Sequence, residues 1–70
     1  MLKIENKRFT STVYNDNDIE RGRLGVYGEL RRYLDKNPKL YLVKLKEVTL
    51  KSKIGGYISV NLDVTLKNYL

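Results

Sequence analysis

ISVNLDVTLK, residues 58–67, alternates without a break. Ile58, Val60, Leu62, Val64 and Leu66 fall in one phase, and Ser59, Asn61, Asp63, Thr65 and Lys67 in the other. A period of two places one set on a buried face and the other in water, so the stretch reads as a β-strand. Leu40-Tyr41-Leu42-Val43-Lys44-Leu45 followed by Val48 and Leu50 forms a second apolar run, and Gly55-Gly56 separates the two. Together they predict a long β-hairpin whose apolar face the N-terminal half must cover. A two-residue Gly55-Gly56 turn sets Lys51, Thr49 and Glu47 beside Val60, Leu62 and Val64, with charge on the buried side. A register moved by one residue, with a three-residue loop Ile54-Gly55-Gly56, sets Leu50 beside Val60 and Val48 beside Leu62. This odd-length loop is the expected one, with a glycine at positive φ. Val43 and Leu45 then differ in parity from Val48 and Leu50, which a bulge near Lys46-Glu47 reconciles.

Upstream, Leu2 and Ile4 differ in parity from Phe9, Ser11 and Val13. A turn at Asn6-Lys7 brings both sets to one side and predicts a short hairpin; a single bulged strand is the alternative. Asn15-Asp16-Asn17-Asp18 is a turn in which Asn17 or Asp18 suits a helix N-cap. Helical spacing then gathers Ile19, Val26, Leu30, Tyr33 and Leu34 into one stripe, and Asn37-Pro38 ends it, predicting a helix over residues 18–36. Gly22, Gly25 and Gly28 recur every third residue within it. They mark either a frayed first half or a close backbone approach to the sheet or to a partner helix. Fold class follows as α+β: an antiparallel sheet in the order β-β-α-β-β with one helix on one face. The expected core is Leu2, Ile4, Phe9, Ile19, Val26, Leu30, Leu34, Val43, Val60, Leu62 and Val64.

Seventy residues accommodate one domain with a small core. The sequence has neither cysteine nor histidine. Disulfides are thereby excluded, as are the usual zinc, haem and iron–sulfur ligands, and no cofactor or metal is expected. Ser-His and Cys-His catalytic pairs are also excluded, and no phosphate-binding glycine loop is present, so an enzyme is not expected. Self-association is the remaining means of adding buried area, and a two-fold homodimer using Leu40 and Leu42 is expected. No apolar run approaches the ~20 residues of a membrane span. Met1-Leu2-Lys3-Ile4-Glu5 lacks the apolar segment of a signal peptide, which predicts a cytoplasmic protein.

Charge carries the functional expectation. The chain holds 14 Lys and Arg against 8 Asp and Glu, a net charge of +6. Residues 21–53 alone hold ten cations and three acids, a local net charge of +7. Such a balance favours an anionic partner. Arg21 and Arg32 fall on the helix's solvent face, whereas Arg23 falls inside its apolar stripe, where it either snorkels or marks a kink. Glu29 can reach Arg32 and Asp35 can reach Arg31, compensating part of the helix charge. On the hairpin, Lys44, Lys46 and Lys53 are interleaved with tyrosines, a pattern that contacts a nucleic-acid backbone or simply protects a sheet edge. The expected function is weak, largely sequence-independent nucleic-acid binding, to DNA or RNA, through Arg21, Arg23, Arg32, Lys44, Lys46 and Lys53. Docking on a protein partner is the alternative. The short Lys-, Tyr- and Asn-rich chain is similar in composition to small accessory proteins of phages and plasmids.

Overall fold

The computed structural model describes residues 3–68. Strand β1 (Lys3–Val13) leads through a single 3-10 turn (Asp16–Asp18) into helix α1 (Ile19–Lys36), and strands β2 (Leu40–Lys51) and β3 (Ile58–Asn68) follow. The sheet is antiparallel with spatial order β1-β3-β2. The strictly alternating strand therefore sits in the middle, and α1 carries the chain from one edge to the other.

Position explains burial. Phe9, Val13, Val26, Leu30, Ile58, Val60, Leu62, Val64 and Leu66 form the core, and Ile19, Tyr27, Tyr33, Leu34 and Leu40 pack against it. The helix lies on β1 and β3. An α-helix is about 10 Å across and strands repeat every ~4.8 Å, so one helix covers about two strands. The uncovered one is β2, none of whose residues is buried.

The expected hairpin at Asn6-Lys7 does not form. β1 runs unbroken and pairs with β3 from Lys3↔Asn68 to Val13↔Ile58. Three strands result, not four, and the parity conflict dissolves because Ile4 lies outside the core, 60% exposed on the face away from the helix. Leu2 lies outside the described residues.

The register of the β2–β3 hairpin also differs from expectation. Thr49 faces Val60 and Glu47 faces Leu62, while Val48 and Leu50 face Asn61 and Ser59. Ser52 N–H donates to Tyr57 O at 2.9 Å, closing an even loop over residues 53–56 in which Gly56 has φ 63°. The pairing disfavoured on sequence grounds set charge beside the apolar row of β3. The helix does not bury that side of β2, and Glu47 there is half exposed and bonded by Arg23, so the penalty vanishes. The bulge lies between Leu42 and Lys44, not near Lys46-Glu47. It leaves Val43 49% exposed rather than in the core and puts Leu40, Leu42, Leu45 and Glu47 on the helix side.

The helix matches its expected span and is continuous through all three glycines. Neither Asn17 nor Asp18 caps it through a side chain; the 3-10 turn before it is closed by Asp18 N–H to Asn15 O at 3.0 Å. At its far end Asn37 Nδ2 donates to Tyr33 O at 2.7 Å, occupying one of the carbonyls a helix leaves unpaired.

Candidate nucleic-acid interface

The sheet face opposite α1 is open, and its side chains follow from the registers. From β1 come Asn6, Arg8 and Thr10; from β3, Asn61, Asp63, Thr65 and Lys67; from β2, Tyr41, Lys44, Lys46, Val48 and Leu50. Directly opposed polar pairs join β1 to β3 along this face. Thr65 Oγ1 donates to Asn6 Oδ1 at 2.9 Å, and Thr10 Oγ1 to Asn61 Oδ1 at 2.7 Å. Between them, Arg8 grips Asp63 with both arms of its guanidinium, at 2.5 and 2.8 Å.

Asn61 is 3% exposed although it belongs to the wet phase of β3. Its Nδ2 donates to Val48 O at 3.2 Å and Ser59 O at 3.3 Å, while Oδ1 also accepts from Ser59 Oγ at 3.2 Å. Its polar capacity is met within the protein, which makes burial tolerable and ties all three strands together.

Across β3 from Asn6 and Arg8 stand Lys44, opposite Thr65, and Lys46, opposite Asp63. With Asn6, Arg8, Asp63 and Thr65 they line an open recess of about 380 Å³. Among the described residues neither lysine forms an ion pair. Asp63 is the one carboxylate in the recess, and the Arg8 guanidinium engages it. The hydrogen bond from Arg8 holds the Asp63 carboxyl below its ordinary value, with a smaller contribution from the charge of Lys46. The recess therefore presents two uncompensated ammonium groups beside an internally neutralised pair.

The other nominated residues do not converge on this recess. Arg21 and Arg32 are exposed on α1, across the molecule from the open face. Lys53 sits in the loop at the hairpin's end. Arg23 neither kinks the helix nor points free. Its guanidinium bonds Glu20 at 2.9 Å and Glu47 of β2 at 3.0 Å. Glu47 is held below its ordinary value, first by a hydrogen bond from Tyr27 and then by Arg23. The ion pairs of the helix thus run through Arg23 rather than through Arg31 and Arg32. Arg8, absent from the nominated set, lies within the recess. Its place follows once β1 is aligned with β3, because that alignment brings Arg8 opposite Asp63.

Depressed carboxylates make stability pH-dependent with a definite sign. Asp63 and Glu47 favour the folded state when ionised, so their contribution is complete above their unfolded values, near pH 4. It is lost as pH falls through the lower folded values. Melting temperature is expected to decline below about pH 4. Asp63→Asn should lower it at neutral pH and flatten the acid limb. An acid limb identical in wild type and Asp63→Asn would remove Asp63 from this account.

No family model matches the chain, and no curated protein or solved structure is significantly similar to it. Among the described residues there is no cluster of potential metal ligands and no helix long and apolar enough to cross a membrane.

Proposed function

We propose that the protein is a non-enzymatic nucleic-acid-binding module that grips backbone phosphates on the open face of its sheet. The observation carrying this reading is the pair Lys44 and Lys46, uncompensated beside the Arg8–Asp63 pair in one recess. Adjacent same-face positions of a strand have their Cα atoms about 7 Å apart, so two lysines there can reach successive phosphates of one strand. Lys67, on the same face of β3, extends the basic surface. Base-specific contacts are not needed for such binding, and affinities of about 10⁻⁴–10⁻⁶ M at physiological salt are expected.

Fluorescence anisotropy against salt concentration tests the reading. Each phosphate contact contributes about 0.7–0.9 to the slope of log affinity against log salt. Lys44→Gln with Lys46→Gln should lower affinity for every sequence alike and flatten the slope by nearly two such increments. Arg21→Gln with Arg32→Gln, on the other side of the molecule, should leave the slope nearly unchanged. If the helix pair alters binding and the strand pair does not, the interface is misplaced. If the unmodified protein fails to bind DNA or RNA at low salt, docking on a protein partner replaces this function.

A further inference from the structure

Strand β2 carries Leu40, Tyr41, Leu42, Val43, Leu45, Val48 and Leu50, yet not one of its twelve residues is buried. Leu42, Val43, Leu45 and Leu50 are 41, 49, 39 and 52% exposed, and Ile54 at the hairpin tip is 92% exposed. Its backbone edge is open as well. Ser52 N–H points at β3, so by alternation the N–H and C=O groups of Glu47, Thr49 and Lys51 point outward. Those groups await a strand.

We propose that a second copy of the chain supplies it, by antiparallel pairing of β2 with β2 about a two-fold axis at Thr49. A two-fold contact must be self-complementary, and β2 satisfies this condition in a particular register. With Thr49 opposite Thr49, Glu47 of each copy, which also bonds Arg23 of its own chain, faces Lys51 of the other, which pairs with its own Asp16 at 2.9 Å, on the helix side. Val48 of each faces Leu50 of the other on the open side. Both opposite charges and apolar side chains are thus matched twice. Like charges discourage neighbouring registers. A two-fold at Leu45 opposes Lys44 to Lys46, one at Lys46 opposes it to itself, and one at Glu47 sets two carboxylates together. Two-folds at Val48 or Leu50 bring no like charges together, but neither pairs Glu47 with Lys51 or Val48 with Leu50, so the Thr49 alignment is the one that matches both sets.

The same alignment carries the tip of each hairpin past its partner's Lys46, bringing Ile54 opposite Lys44, between Val43 and Leu45. It accounts together for the exposed tip and the exposed run on β2. The two-fold is perpendicular to the sheet, so both Lys44–Lys46 recesses face the same way on a six-stranded sheet. The interface itself does not depend on what those recesses bind.

Sedimentation equilibrium is expected to give twice the 8.2 kDa chain mass at micromolar concentration. Thr49→Pro removes an outward N–H that the isolated chain does not use, a substitution tolerated on an edge strand. It should yield a folded 8.2 kDa species with an unchanged helical circular-dichroism signal. Because the chain has no cysteine, Thr49→Cys tests the register. Paired Cα atoms there stand about 5.5 Å apart, within disulfide range, so mild oxidation should crosslink most of the protein. Glu47→Cys, four residues from its own copy across the axis, should not crosslink. Glu47→Lys should dissociate the dimer, and Lys51→Glu added to it should restore the doubled mass. A monomer at all concentrations overturns the proposal, as does a dimer indifferent to Thr49→Pro or crosslinked through Glu47→Cys and not Thr49→Cys.

Discussion

Leu62→Ala is expected to lower unfolding free energy by about 2–5 kcal/mol, the range for removing a fully buried leucine side chain. Leu62 is 0% exposed. It occupies the middle of β3, with Phe9 opposite on one flank and Glu47 on the other. α1 covers it from above, leaving no route by which solvent can fill the space the side chain vacates. A domain of this length has a total stability of roughly 4–10 kcal/mol, so the loss consumes a large share of it. Each kcal/mol corresponds to about 4–8 °C in melting temperature for a domain of this size. Leu24→Ala is the matched control, because Leu24 is 68% exposed on the same helix that covers Leu62. It should change stability by no more than about 0.5 kcal/mol. Urea denaturation of both variants at constant slope makes the comparison. Equal midpoints for wild type and Leu62→Ala would place the core elsewhere.

The parts of this fold legible from sequence are those whose two sides differ most. β3 has a helix on one side and a polar ladder on the other, so its alternation is strict. α1 has one wet side, and its stripe gives its span. The edge strands were harder to read because the rule that apolar residues share a buried side applies only beneath the helix. In β1 that rule predicted a turn to rescue Ile4, which is instead exposed. In β2 it rejected the face the chain adopts, since Thr49 and Glu47 looked misplaced beside the apolar row of β3; the register itself, Glu47 opposite Leu62, is two residues from the one rejected. Glu47 is the residue that draws Arg23 out of the helix stripe. The two apparent misfits of the sequence are therefore partners of each other. At the recess, charge alone nominated Lys44 and Lys46. It could not find Arg8 or Asn61, whose roles arise from the β1–β3 alignment. Nor could it separate Lys44 and Lys46 from Arg23, whose charge is spent within the molecule.

The three glycines of α1 should respond differently to substitution, because only at Gly22 would a side chain crowd the sheet. A Cβ on Gly22 would stand 3.0 Å from Val60 Cγ2 and 3.3 Å from Val13 Cγ1. Both neighbours are buried valines, stiff at χ1 and held by the core, so neither can swing away. At Gly25 the nearest atom is Ser11 Oγ at 3.8 Å, and at Gly28 the flexible end of Arg32 at 3.7 Å. Gly25→Ala and Gly28→Ala therefore gain helix propensity without crowding and should each raise stability by about 0.8–1.0 kcal/mol. Gly22→Ala sets a similar gain against the overlap and should come out unfavourable relative to these two. Gly22→Val adds branches at the point of closest approach and should cost about 1–3 kcal/mol through overpacking. Thermal melts of the four variants read the spacing between helix and sheet directly. A Gly22→Val protein as stable as wild type would mean that α1 rides higher on β1 and β3 than these contacts require. A gain at Gly22→Ala equal to that at Gly28→Ala would say the same. The opposite ordering would establish Gly22 as the residue that lets the helix close on Val13 and Val60.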